Sequence, residues 1–140
     1  MEIRQRVTGV IIRDGKILLI RRIKNGNEYY VYPGGGIDEG EDKLTALNRE
    51  MKEELNFEIK EFEFLFKLDD TYDVRQQIDY TYLIKDFTGD LQLGGPEKEI
   101  MNENNQYYPE WIDFEDFKNI ADLWPEKIRD KILNLEIWKK

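Results

Sequence analysis

No cysteine and no histidine occur among the 140 residues. The first absence excludes disulfides, thiolate nucleophiles and cysteine-based zinc sites, and it fits a reducing compartment. The second removes the commonest general base near neutral pH and the commonest transition-metal ligand. Any catalysis must therefore use carboxylates, Lys, Tyr, Ser/Thr hydroxyls or a hard cation bound by oxygen. Positive charge is also short, with 21 Lys and Arg against 30 Asp and Glu and a net charge of −9. A long nucleic acid or an anionic membrane selects a basic footprint, so neither is an expected partner. A small phosphate ligand is compatible if a metal cation supplies the missing charge. The opening MEIRQRVTGV lacks the apolar centre of a secretion signal, and no apolar run approaches the length of a membrane span. The default expectation is a soluble, cytoplasmic protein.

What is present suffices for a core. Hydrophobic residues make up 40% of the chain and aromatic residues 13%, which excludes intrinsic disorder. The length predicts one domain, residues 1–140. Val7 to Ile12 and Ile17 to Ile20 are β-branched, apolar runs around Asp14-Gly15, a strong hairpin signal. Asn25-Gly26-Asn27 marks a second turn before a short aromatic strand, Tyr29 to Tyr32, which Pro33 stops. Gly34-Gly35-Gly36 then opens a loop able to pass very close to a ligand.

From Asp42 to about Leu55 the period changes, and Leu44, Leu47, Met51 and Leu55 form one helical stripe. Asn56 suits a left-handed helix stop. Phe62, Phe64 and Phe66, and then Ile78, Tyr80, Tyr82 and Ile84, alternate as strands with one buried face do. A loop rich in Gly, Asn and Glu follows from Gly89 to Asn105. Beyond it a strand is expected over Tyr107 to Ile112 and a short helix over Phe114 to Ile120. A last helix has Pro125 in its first turn and Ile128, Ile132 and Leu135 along its apolar stripe. Strands, a helix, more strands and then helices predict an α/β domain, a mixed sheet with helices on both sides.

Glu50, Glu53 and Glu54 fall within about 100° of one another around the first helix, beside its apolar stripe. Lys52 points away from them, whereas Arg49 can reach Glu53 at spacing four. Glu50 and Glu54 remain a like-charged pair, which costs about 0.2–0.5 kcal/mol in an isolated helix. Such a trio is either a solvated acidic face or a set of hard oxygen ligands for Mg²⁺ or Mn²⁺ next to the glycine loop.

Spacing bears on that choice. Gly35, Glu41 and the run Arg49-Glu50-Met51-Lys52-Glu53-Glu54 reproduce the pattern G-x5-E-x7-R-E-U-x-E-E-x-G-U, with Met51 and Phe57 at the bulky apolar U positions. In this the chain resembles the Nudix hydrolase family, most densely over residues 33–57. One departure is Asn56 in place of the final Gly, a tolerated swap because Asn also adopts the left-handed conformation.

The resemblance implies a Nudix-type α/β/α sandwich with a mixed central sheet. It also implies hydrolysis of a nucleoside diphosphate linked to another group, by water attack on phosphorus. It carries the metal ligands over to Glu50, Glu53 and Glu54, with the Gly35 carbonyl as a further ligand. Glu41 and Arg49 then shape the loop–helix junction, Arg49 holding Glu53 by an ion pair. The base that activates water is either a helix carboxylate such as Glu53 or an acid of the late loop, Glu97 before Glu103; each loop acid could equally be a solvated side chain. Tyr29, Tyr32, Tyr72, Tyr80, Tyr82 and Trp111 are candidates to stack a nucleobase, with the core as their alternative. Arg21, Arg22 and Lys24 are candidates for phosphate contact, against a solvated strand end. The expected partner is a small nucleotide-type substrate, and a homodimer is compatible with the family. Three rival readings exist: a catalytically silent nucleotide-sensing domain, which usually loses box carboxylates that this chain keeps; a prenyl diphosphate isomerase, which needs the Cys and His that it lacks; and, as the generic fallback, a structural or protein-interaction role.

Overall fold

A computed structural model describes residues 3–69, 76–91, 104–135 and 137. Strand β1 (Ile3–Val10) is followed by β2 (Ile12–Arg13) and β3 (Lys16–Lys24). Asp14 at φ 54° and Gly15 at φ 75° make the two-residue turn between β2 and β3, the left-handed pair that suits the twist of a hairpin. Asn25 and Gly26, at φ 51° and 82°, turn β3 into β4 (Asn27–Val31) in the same way. The expected Asp-Gly hairpin is therefore present, but its first arm is only Ile12–Arg13. β1 instead runs parallel to β7 (Gln76–Thr88), with Val7 opposite Tyr80, in a different sheet. Val7, Val10 and Ile11 are all fully buried, and an apolar run buried on both faces does not reveal which strand it will pair with.

Two mixed sheets form the β layer. One has the order β5-β1-β7-β6, with β5 (Gly34–Gly36) and β6 (Glu58–Asp69) at its edges. The other has the order β2-β3-β4-β9, with β9 (Leu123–Trp124) parallel to β4 and β8 (Asn105–Asp113) antiparallel to β3. Helix α1 (Lys43–Leu55) covers one side, where Ala46, Leu47, Met51 and Leu55 pack with Val7, Tyr80, Tyr82 and Ile84. Helices α2 (Phe114–Asn119) and α3 (Glu126–Leu133) supply Phe117, Ile128 and Ile132 to a second core with Val10, Leu83 and Tyr32. β3 serves both layers, sending Leu18 and Ile20 to the first and Ile17 and Leu19 to the second. The expected α/β class, a mixed β layer flanked by helices, is the one observed.

Helix α1 starts where Asp42 accepts a 2.8 Å hydrogen bond from the Thr45 N–H and ends at Asn56, φ 61°, as its caps predict. Its stripe is shorter than expected. Leu44 is exposed and Ala46 is buried, because the helix meets the sheet only from its second turn. β6 also departs from expectation. It is an edge strand, so Phe62 and Phe64 stay 44% and 50% exposed, edge-on to Tyr82. A register shift between Phe64 and Phe66 then turns Phe66 to the opposite face. β7 is buried on both faces from Asp79 to Ile84. Pro125 caps α3 rather than entering its first turn, and Leu135 lies beyond that helix. Among the described residues no helix is long and apolar enough to cross a membrane.

Candidate active site

The triple-glycine segment is a strand, β5, antiparallel to β1 with Gly35 opposite Val7. Helix α1 packs over it, and this approach needs a missing side chain. A Cβ on Gly35 would lie 2.5 Å from Glu50 Cδ and 2.7 Å from its Oε2, closer than real contacts allow. Gly34 donates its N–H to Glu54 Oε1 at 3.1 Å. Glu50 and Glu54 are each only 8% exposed, so two of the three helix acids are drawn inward against the glycine strand and do not decorate a solvated face. Gly35→Ala is expected to displace the Glu50 carboxylate and to cost about 1–3 kcal/mol in urea unfolding. Adding Glu50→Ala should recover part of that loss, and additive losses would contradict the contact.

Arg49 ties the junction together. Its Nε and Nη2 donate to Glu41 Oε2 and Oε1, both at 2.9 Å, in a bidentate pair. Nη2 also donates to the Gly36 carbonyl, and Nη1 to Glu50 Oε1, each at 2.9 Å. The Nη1–Glu53 Oε2 contact is longer, 3.5 Å. The expected Arg49–Glu53 ion pair is thus present but long, as is the pair with Asp38 at 3.5 Å; Glu41, one loop away, is the principal partner because it can meet the guanidinium fork in plane. Glu41 in turn accepts from the Asp38 N–H at 3.0 Å. These hydrogen bonds from Arg49 and Asp38 hold the Glu41 carboxyl down at about 2, while Glu41 and Glu50 push Arg49 above its ordinary range.

Glu53 is the most accessible of the trio, its side chain 28% exposed. Among the described residues no three acidic groups converge as a ready-made metal cage. The donor chemistry nevertheless fits a hard divalent cation. Buried Glu50 and Glu54, accessible Glu53 and the glycine-strand backbone are all oxygen donors. Glu97 and Glu103, the candidate loop bases, lie outside the described residues, as does Tyr72.

The aromatic candidates divide. Tyr32, Tyr80 and Tyr82 are core residues, Tyr32 packing edge-on against Phe117 at 6.3 Å. Trp111 is half-buried against the core under α1. Tyr29 keeps a half-buried ring 5.8 Å from the Arg22 guanidinium. Arg21 is engaged by Glu110 at 2.8 Å and Glu28 at 3.4 Å, and Lys24 is an exposed strand end. Arg22 lies 4.2 Å over the Tyr107 ring, and its Nη2 donates to Asn105 Oδ1 and Tyr107 Oη.

The sequence reading missed a cleft of ≈ 520 Å³ that lies between the two sheets. Arg4 and Arg6 of β1 and Gln77 of β7 form one wall; Val31 of β4 and the Trp124–Lys127 segment form the other. Arg6 is the register partner of Gly36, so the cleft begins one strand from the helix carboxylates. Two signals pointed to it: Arg4, Arg6 and Thr8 alternate along β1, and Asp79 and Thr81 alternate along a strand that is otherwise apolar.

The NUDIX domain matches residues 3–132. An RNA pyrophosphohydrolase of Pelagibacter ubique is 40% identical over 60 residues, 43% of this chain and 37% of that protein. The ADP compounds hydrolase NudE of Escherichia coli is 42% identical over 67 residues, 46% of this chain and 36% of that protein. The matched stretch thus spans little more than a third of either relative. Among solved structures, the E. coli ORF135 protein superposes with a TM-score of 0.75 at 26% identity, covering 95% of this chain and 90% of that one. With the glycine strand, the Arg49 junction and the glutamate helix in their places, this chain belongs to the NUDIX domain family.

Proposed function

We propose that the protein is a metal-dependent pyrophosphohydrolase that cleaves a nucleoside diphosphate linked to another group. The observation that carries this reading is the pair of buried carboxylates, Glu50 and Glu54, held against a glycine strand with Glu53 accessible beside them. Buried acids in a chain of net charge −9 are costly to hold together. The Arg49 guanidinium and the Gly34 N–H fix Glu50 and Glu54 against the glycine strand, where a divalent cation would add positive charge. Glu50, Glu53 and Glu54, with the Gly35 carbonyl, would hold Mg²⁺ or Mn²⁺. When bound, the cation supplies positive charge opposite the diphosphate and acidifies water.

The chain's own residues do the rest. Arg49 and Glu41 fix the turn that carries Gly36, and so fix the glycine strand relative to α1. Gly34 orients Glu54 through its N–H. The cleft between the sheets receives the part of the substrate away from the cleaved bond, as a preformed concave site does. Glu53 or Glu97 takes the proton from the attacking water. The family relatives named for RNA pyrophosphohydrolase and ADP compounds hydrolase activity support the same reaction class.

The test is a phosphate-release assay over nucleoside triphosphates, dinucleoside polyphosphates, nucleotide sugars and 5′-triphosphate RNA, with Mg²⁺, with Mn²⁺ and with EDTA. Turnover of at least one substrate that stops in EDTA and returns with metal is expected. Turnover unchanged by EDTA, or no turnover of any substrate, would contradict the proposal.

A further inference from the structure

Arg6 stands on a support that an exposed arginine does not need. Its Nε donates to Asp79 Oδ2 at 3.1 Å, and Asp79 is fully buried. Thr8 Oγ1 donates to the same oxygen at 2.8 Å, and Thr81 Oγ1 to Oδ1 at 3.0 Å. Burial pushes the Asp79 carboxyl up, and Arg6 with the two hydroxyls pulls against that shift. The carboxylate and both threonines sit on adjacent parallel strands, so the anchor is rigid. The Arg6 side chain is 26% exposed, and it lines the cleft between the sheets. A guanidinium carries five N–H donors in one plane. Holding Nε fixes that plane and leaves the rest of the fork to the cleft.

The opposite wall has a different chemistry. Val31, Pro125 and the Trp124 ring, 52% exposed, form an apolar surface there, and the indole N–H is tied to Asp122 Oδ1 at 2.6 Å. A phosphate gains nothing from an apolar wall. A nucleobase, apolar on its faces and polar at its edge, gains from both surfaces. On this wall Glu126 stands beside Lys127, one charge of each sign, so the cationic side of the cleft is the Arg4 and Arg6 wall.

We infer that Arg6, anchored by Asp79, is a specificity-determining residue whose fork reads a nucleobase edge bearing two adjacent acceptors, with the base lying against Trp124. The O6/N7 edge of guanine or hypoxanthine and the N3/O2 edge of cytosine have that pattern. Adenine places a donor beside N7, and uracil places a donor between its carbonyls. The inference rests on the proposed function for the orientation of the nucleotide, whose phosphates lie toward α1.

The experiment measures binding without metal or turnover, so its failure is separate from failure of the hydrolase reading. GMP, IMP, CMP, AMP and UMP are titrated calorimetrically into the full chain in EDTA. At least one of GMP, IMP and CMP is expected to bind tenfold or more tighter than AMP and UMP, a bidentate contact being worth about that much. Which of the three leads identifies purine or pyrimidine. In Arg6→Gln and in Arg6→Lys, which keeps the charge but loses the planar fork, that preference should fall to twofold or less, while Trp124→Ala should weaken all five together. Equal binding of the five by the wild type would overturn the inference. So would a uniform loss in the Arg6 variants with the preference intact, which would make Arg6 a phosphate contact. Should Arg6→Gln fail to fold, Arg6→Lys, which keeps a cation beside Asp79, carries the test.

Discussion

Glu53→Gln is expected to lower kcat on the order of 10³-fold while leaving the thermal midpoint within about 2 °C of wild type. Two features of the structure separate those effects. The side chain is accessible, and its contact with Arg49 is long, 3.5 Å, so folding depends little on its charge. The amide keeps the shape and removes the negative charge that a hard cation requires from this position. Glu50 and Glu54 are poorer probes, since both are buried against the glycine strand and their loss mixes stability with chemistry. Steady-state kinetics with Mg²⁺, alongside circular dichroism melts, checks this expectation. A Glu53→Gln protein with wild-type kcat would remove Glu53 from the site.

Arg49→Ala is expected to show the opposite balance. It leaves Glu50, 8% exposed, without its 2.9 Å partner, and breaking a buried pair is strongly destabilising. Because the guanidinium is 27% exposed, the cost is discounted to roughly 2 kcal/mol in denaturant unfolding. Arg49→Lys should not rescue it, since an ammonium cannot meet Glu41 in two parallel bonds and also reach the Gly36 carbonyl. Acid sensitivity carries a further signature. The Glu41 carboxyl is held down at about 2, so its contribution is full above the ordinary carboxylate pKa and is lost as pH falls toward 2. In Arg49→Ala that part of the acid dependence should flatten. An Arg49→Lys protein with wild-type stability and an unchanged acid limb would contradict the junction described here.

Local chemistry made α1 legible in the sequence. Asp42 and Asn56 terminate the helix where capping preferences place them, and the positions of Gly35, Glu41, Arg49, Glu50, Glu53 and Glu54 follow a spacing with few accidental matches. Both hairpin turns were equally plain, since Asp14, Gly15, Asn25 and Gly26 are the residues that tolerate positive φ. Pairing was not legible. Nothing in Val7 to Ile12 distinguishes a hairpin arm from a strand that leaves for another sheet, because burial on both faces erases the alternation that would mark a side. The exposed aromatic face of β6 was misread for a related reason: alternation shows that Phe62 and Phe64 share a face but not that the strand lies at a sheet edge, where both rings stay exposed.

At the site, sequence reasoning brought together the residues of one continuous segment and missed those joined only by the fold. The family pattern puts Glu41 and Arg49 together at the loop–helix junction, and the Arg49–Glu53 ion pair is present at 3.5 Å. Spacing alone does not show that Glu41 takes the shorter, bidentate contact. The Arg6–Asp79 contact spans 73 positions, and the cleft it lines takes residues from both sheets and from the start of α3. Trp124 went unremarked because one exposed aromatic near a chain end has no local signature.

Titration of Mn²⁺ into the metal-free protein, followed by electron paramagnetic resonance, reports on the helix carboxylates without any assumption about substrate. Wild-type protein is expected to take up Mn²⁺, and the variant carrying Glu50→Gln, Glu53→Gln and Glu54→Gln together to leave it free in solution while retaining the far-ultraviolet spectrum of the fold. Equal uptake by the two proteins would place the cation elsewhere and contradict the site assigned to α1 and the glycine strand.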